Sequence, residues 1–408
     1  MEFDFDERID RRGSGSYKWD SAEDDGIIPL WVADMDFRTA PVVIEALRRR
    51  VEHGVFGYTS VGRSYYEALT GWFARRHGYE IDPDRVIYTS GVVPAISAII
   101  KALAREGEGV LVQTPVYNCF FSSIRNNGCK IVENPLRRLD FGDGTFSYEM
   151  DFEDLERCAA RDDVGVMLLC NPHNPAGRCW NREELRRVAE ICGRHGVRVV
   201  SDEIHCELTA PGTEYTPYGT VDREVNGGWE QGVVCLSPSK AFNTAGLQIA
   251  NIVCPDSATQ QLIDKAININ EVCDVNPFGV EGLKAAYSPE GEQWLDALRE
   301  YLWGNYDYFA GFMRRELPEF PITRLEATYL PWIDVRAAGM AAEEIEERMK
   351  SEAKVWVNCG EMYGSEGYVR VNIACPRAVL AEGLGRMAKF LKNAVGDAKA
   401  RGGAEEKC

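Results

Sequence analysis

The stretch Val233-Val234-Cys235-Leu236-Ser237-Pro238-Ser239-Lys240 decides the fold: an unbroken apolar run leads directly into a serine-flanked lysine. A run of this kind reads as a strand buried on both faces, the pattern of a parallel sheet covered by helices on either side. Similar runs recur at 86–89, 109–113, 164–170 and 197–201, and helical periodicity fills the intervals at 94–105, 117–127 and 182–195. The last of these helices carries its own stop signal, His195 in the final turn followed by Gly196. Such alternation specifies an α/β fold with a mostly parallel sheet between helices.

With 408 residues the chain exceeds what one core usually organises, so a second unit is expected. A long helical stretch at 292–316, with Trp294, Leu298, Tyr301, Leu302, Tyr308, Phe309 and Phe312 on helical spacing, leads into it. Strands at 329–335 and 368–373 and helices at 341–352 and 377–392 then make a smaller C-terminal α/β domain. The expected division is an N-terminal segment, 1–45, packing on the small domain or on a partner subunit, a large domain, 46–290, and the small domain, 291–408. The tail from Asp397 is expected to fray.

Lysine and arginine number 46 against 64 acidic residues, a formal charge of −18, and no basic stripe stands out. Nucleic acid and anionic membranes are therefore not expected partners. Residues 1–10 are acidic where a signal peptide is basic, and no apolar run has spanning length, so the expected location is cytoplasmic. The thirteen cysteines sit mostly singly in apolar segments, as Cys170, Cys206, Cys235 and Cys254 do, and no paired CxxC spacing points to metal.

A lysine leaving the C-terminal end of a parallel strand stands where such sheets build ligand sites. Alone it would read as a solvated charge; three companions change that. Val200-Ser201-Asp202-Glu203-Ile204-His205 ends another strand. A carboxylate there can keep the nitrogen of a pyridine-type cofactor ring protonated, with His205 near the ring's phenolic oxygen. Each also has an ordinary use, Asp202 as a helix N-cap and His205 as a core histidine. Asn171-Pro172-His173-Asn174-Pro175-Ala176-Gly177 follows a third strand, and its two Asn-Pro steps constrain a turn that presents the Asn174 amide. In Thr89-Ser90-Gly91-Val92-Val93-Pro94-Ala95 a strand gives way to a helix, whose free N–H groups at Gly91, Val92 and Val93 suit a phosphate. Ser237 and Ser239 add hydroxyls.

Taken together, Ser-x-Ser-Lys, Asp-Glu-Ile-His and Asn-Pro-x-Asn-Pro-x-Gly resemble the fold type I aminotransferase superfamily. Within it, residues 29–37, Phe56-Gly57-Tyr58-Thr59, Gly91-Val92-Val93-Pro94-Ala95 and Asp202-Glu203-Ile204-His205 resemble the MalY/PatB-type cystathionine β-lyases, over nearly the whole chain. The resemblance implies pyridoxal 5′-phosphate (PLP) carried on Lys240 as a Schiff base, an amino-acid substrate, and a homodimer with its sites at the interface. It makes Lys240, Asp202 and Tyr117 the catalytic set, with Tyr117 stacked on the cofactor and Tyr58 contacting the phosphate in the neighbouring subunit's site. It places Arg370, a guanidinium fork suited to a carboxylate, on the substrate together with Ala33. The implied reaction is α,β-elimination from cystathionine or another S-substituted cysteine to thiol, pyruvate and ammonia.

An aminotransferase shares all of these residues and is the main alternative. A noncatalytic regulator with this fold would need a DNA-binding module that the charge and length do not supply. Gln248 stands where many aminotransferases place an arginine for the phosphate, which favours the lyase branch.

Overall fold

The computed structural model describes residues 3–228, 231–271 and 274–405. Its central sheet has seven strands in the order Val86–Thr89, Ala250–Val253, Val233–Leu236, Arg198–Asp202, Val164–Cys170, Gly109–Val112 and Lys130–Glu133. Ala250–Val253 runs antiparallel to both of its neighbours, and the five strands from Val233–Leu236 to Lys130–Glu133 are parallel. Successive side chains of a strand point to opposite faces. Val166, Leu168 and Cys170 accordingly enter one core and Met167 and Leu169 another.

Helices Val92–Leu103 and Asn118–Asn126 close the first core with Ile96, Ile99, Phe120 and Ile124. Phe152–Ala159 and Arg182–His195 close the second with Leu155, Leu185 and Val188. Each such side chain, once fully buried, stabilises the fold by roughly 1.5–3 kcal/mol. Helix Arg182–His195 has the expected bounds because both ends are specified. Asn181 and Glu184 form a reciprocal capping box, and Gly196 takes the left-handed conformation at φ 67°.

The register sets Cys170 beside Asp202 and Asp202 beside Cys235, so three strands end level on one edge of the sheet. A second, six-stranded sheet runs in the order Asn358–Cys359, Tyr368–Arg370, Trp332–Asp334, Ile322–Thr323, Thr145–Glu149, Arg137–Asp140. Two of its strands thus come from 137–149, inside the span expected to form the large domain. They join by parallel pairing of Ile322 with Thr145 and by Arg138, which donates to Asp334 at 2.5 Å and to the Tyr368 hydroxyl at 2.9 Å.

Ile28–Pro29 pairs in parallel with Val355–Trp356, fastening the N-terminal segment beside this second sheet. Helix Pro289–Glu316 starts earlier than its apolar stripe, because Ser288 caps Gly291 and proline occupies the first turn. The final helix, Arg377–Glu405, runs past Asp397, where fraying was expected. Among the described residues the cysteines are free, and no helix is long and apolar enough to cross a membrane.

Candidate active site

At the level edge of the sheet, Ala33, Gly91, Val92, Val93, Tyr117, Asn174, Asp202, His205, Ser237, Ser239 and Lys240 line a single cavity of about 180 Å³. The turn after Val233–Leu236 is braced internally. Ser237 Oγ donates to the Ile249 carbonyl at 2.8 Å and accepts from Ser239 N at 3.1 Å. Its proton is therefore committed, and of these two serines Ser239 keeps its hydroxyl for a ligand. Lys240 Nζ donates to the Ala33 carbonyl at 2.7 Å. Burial, reinforced by Arg370, lowers the proton affinity of this amine, while Asp34 and Asp202 act in the opposite direction.

Asp202 ends its strand in a turn, not a helix, so the N-cap use does not apply. Its Oδ1 accepts one bond, from Ile204 N at 3.2 Å, and burial pushes the carboxyl up to about 6 despite Lys240. His205 is driven down to about 3 by burial, with Lys240 and Arg370 adding to the effect, and its Nδ1 has no hydrogen-bond partner. The ring is neutral at physiological pH. Burial also holds the Tyr117 hydroxyl in its protonated form.

The Asn-Pro loop folds back on itself through Gly177 N to the His173 carbonyl, 2.8 Å, and His173 N to the Arg178 carbonyl, 2.7 Å. Gly177 is required: its φ is +69° and a Cβ there would lie 2.5 Å from Leu325 Cδ1. Arg370 reaches the loop from the second sheet. Its Nη1 donates to Asn174 Oδ1 and its Nη2 to the Trp31 carbonyl, both at 3.0 Å, the guanidinium lies 4.7 Å from the Tyr363 ring, and Nε is buried without a partner.

Two expected residues do not line the cavity: Arg370, which meets it through Asn174, and Tyr58, which is 97 % exposed. Other participants are not among the expected site residues, although Trp31, Ser90 and Ile204 lie within the quoted motifs. Tyr329 donates to the Ala33 carbonyl at 3.1 Å, the Trp31 carbonyl accepts from Arg370, and Ser90, Ile204 and Ile249 complete the wall beside Gln248. Asn243 donates to the carbonyls of Met35 and Phe37, both at 2.9 Å, and accepts from Met35 N. The sequence offered only an asparagine just beyond the lysine, a residue type that tolerates the left-handed conformation Asn243 takes here, at φ 53°.

These groups fit PLP. Lys240 offers an amine to an aldehyde, and Asp202 offers a buried carboxylate with a single backbone partner to a ring N–H. Helix Val92–Leu103 begins with no side-chain cap, leaving its N–H groups beside Ser90 and Ser239 for a phosphate. His205 Nδ1 and Arg370 Nε are buried polar atoms still lacking partners.

Comparison with known proteins agrees. The chain is 39 % identical to cystathionine β-lyase PatB of Bacillus subtilis, covering 94 % of this chain and 98 % of that protein. It is 34 % identical to the MalY protein of Escherichia coli, over 94 % and 97 %. The solved structure of cystalysin from Treponema denticola, which contains PLP, superposes with a TM-score of 0.91 at 33 % identity, over 96 % and 100 %. Residues 25–387 match the family of class I and II aminotransferases, and the chain belongs to that family.

Proposed function

We propose that this protein is a PLP-dependent carbon–sulfur β-lyase that cleaves cystathionine or a related S-substituted cysteine by α,β-elimination to thiol, pyruvate and ammonia. The observation that carries the reading is the convergence of the Lys240 amine and the Asp202 carboxylate on one cavity, with Arg370 and Asn174 joined beside it. Relatives named cystathionine β-lyase span nearly the whole chain.

When bound, PLP supplies the electron sink that stabilises negative charge at the substrate α-carbon. Arg370 holds the substrate carboxylate, with Ala33 beside it, and so fixes which bond at Cα lies near Lys240. Lys240 anchors the cofactor between turnovers; its free amine, made less basic by burial, takes the α-proton. The β-sulfur then leaves as a thiolate. With the cofactor bound, Asp202 would keep a proton on the ring nitrogen, Asn174 would donate to the ring oxygen, with neutral His205 nearby, and Tyr117 would cover the ring. Gly91, Val92, Val93 and Ser239 would hold the phosphate, with Ser237 bracing the loop.

The working unit in this reading is a cytoplasmic homodimer with a large domain, 46–290, a small domain, 291–408, and an N-terminal segment, 1–45. Tyr58 serves the neighbouring site. A panel of S-substituted cysteines, with thiol and pyruvate followed together, tests the activity. Equimolar release from at least one supports it, and release from none overturns it.

A further inference from the structure

Asp202 and Glu203 follow one another at the level edge of the sheet and serve different surroundings. Asp202 lines the cavity; Glu203 does not, and it is fully buried. The Glu203 carboxylate gathers four donors from three segments of the chain. Its Oε1 accepts from Ser201 Oγ at 2.8 Å, Tyr218 N at 2.9 Å and Asn171 Nδ2 at 3.3 Å, and its Oε2 accepts from the Tyr215 hydroxyl. Asn171 Nδ2 also donates to the Thr216 carbonyl at 3.1 Å, so the turn 215–218 and the Asn-Pro loop are tied to each other as well as to Glu203. Main-chain bonds continue the clasp past the paired strands. Asn171 N donates to the Asp202 carbonyl at 2.9 Å, and Glu203 N donates to the Cys235 carbonyl at 3.0 Å.

All four side-chain and main-chain donors to this carboxylate are neutral. Burial works against its charge and pushes the carboxyl up to about 7. For stability alone an apolar side chain of similar size would serve as well. What the carboxylate adds is geometry, because a buried polar network with every member satisfied rigidifies the segments it joins. Those segments carry two groups that line the cavity: Asp202, one residue before Glu203, and Asn174, three residues after Asn171.

We propose that Glu203 is a positioning residue that fixes the spacing between the Asp202 carboxylate and the Asn174 amide, and with it the fit of the cavity to the cofactor ring. Glu203 touches neither cofactor nor substrate and acts through these two side chains. The ring nitrogen and ring oxygen are held at a fixed separation by the cofactor itself, and hydrogen bonds weaken steeply as distance and angle depart from their best values. Both partners therefore bind at full strength at one spacing of the two strand ends, the spacing that the Glu203 clasp sets.

The inference rests on Asp202 and Asn174 as the partners of the ring, and the experiment separates the two. Cofactor-free protein is dialysed to equilibrium against PLP and the dissociation constant is measured. Glu203→Asp keeps the charge but is one methylene too short to reach all four donors. In otherwise wild-type protein it weakens cofactor affinity about tenfold, or about 1.4 kcal/mol. In protein already carrying Asp202→Asn and Asn174→Ala the same change has no further effect, because the groups it positions are gone. Asn171→Ala, which cuts the side-chain link from the Asn-Pro loop to Glu203 and Thr216, gives the same pattern at smaller size and replaces Glu203→Asp if that protein does not fold. General loosening of the fold would lower affinity by an equal factor in both backgrounds. That result, or no loss in either background, overturns this inference alone. An Asp202→Asn, Asn174→Ala protein that binds PLP as tightly as wild type overturns the ring-partner reading, and this inference with it.

Discussion

Arg370 Nη1 donates to Asn174 Oδ1 at 3.0 Å, joining strand Tyr368–Arg370 of the six-stranded sheet to the loop that follows Val164–Cys170 of the seven-stranded one. Because the amide oxygen accepts there, the Asn174 Nδ2 keeps its two protons for another acceptor. One contact therefore orients both the proposed carboxylate clamp and the proposed donor to the cofactor.

Arg370→Lys should break that arrangement with little loss of charge. A lysine offers a point ammonium where the guanidinium offers a two-armed fork. Losing one charged hydrogen bond costs about 2–3 kcal/mol, so kcat/KM for an S-substituted cysteine is expected to fall on the order of a hundredfold. Steady-state kinetics decides, and a value within roughly threefold of wild type would remove Arg370 from carboxylate binding.

Asp202→Asn should act in opposite senses on stability and rate. In the cofactor-free fold burial raises this carboxyl from 3.8 to about 6. The stability tied to its proton is present below about pH 4 and is lost as pH rises through 6. Above that, the ionised, poorly partnered carboxylate weakens the fold. The asparagine should therefore stabilise cofactor-free protein by on the order of 2 kcal/mol near pH 8 and by little near pH 4, read by urea unfolding. In the loaded enzyme the same substitution should slow turnover about a thousandfold, at about 1.4 kcal/mol per decade. Near-normal turnover with cofactor bound contradicts the ring-nitrogen role.

Tyr58 predicts complementation between subunits. With Val51, Val55 and Phe56 it makes up a stretch of exposed large apolar side chains, the kind of surface that marks an interface. Mixing Tyr58→Phe subunits with Lys240→Ala subunits should recover activity that neither parent has, because one site of each mixed dimer then contains both native groups. A fully active monomer, measured by sedimentation at assay concentration, would rule this out.

The sheet was legible where strands are buried on both faces. Val164–Cys170 has the expected bounds because it is a continuous apolar run that ends in turn-forming residues; Val86–Thr89 has them too, but it is an edge strand with only Val86 buried, not the doubly buried strand expected. The hairpin 137–149 was not legible. Arg137, Arg138 and Asp140 break any apolar run, and its parallel partner, Ile322–Thr323, lies far along the chain. Ala250–Val253 was not legible as a strand, because Asn251 interrupts its short apolar run, and its antiparallel direction leaves no mark in the sequence. In the site, groups on strand-end motifs could be read locally. The Trp31 carbonyl and Tyr329 could not, because a long-range backbone acceptor leaves no mark in composition or spacing. Tyr58 does not line its own subunit's cavity, so its proposed use lies in a second subunit.

The central claim is elimination in preference to amino transfer, and both reactions would use Lys240, Asp202 and Arg370 alike. Gln248, on the cavity wall where an arginine would pair with a phosphate, accompanies the lyase reading. The most direct measurement follows pyruvate, ammonia and thiol from cystathionine and a panel of S-substituted cysteines, with no 2-oxo acid added. A lyase produces all three continuously over many turnovers per site. If production stops after about one turnover per site for every substrate, and resumes only when a 2-oxo acid is supplied and receives the amino group, the lyase assignment is contradicted.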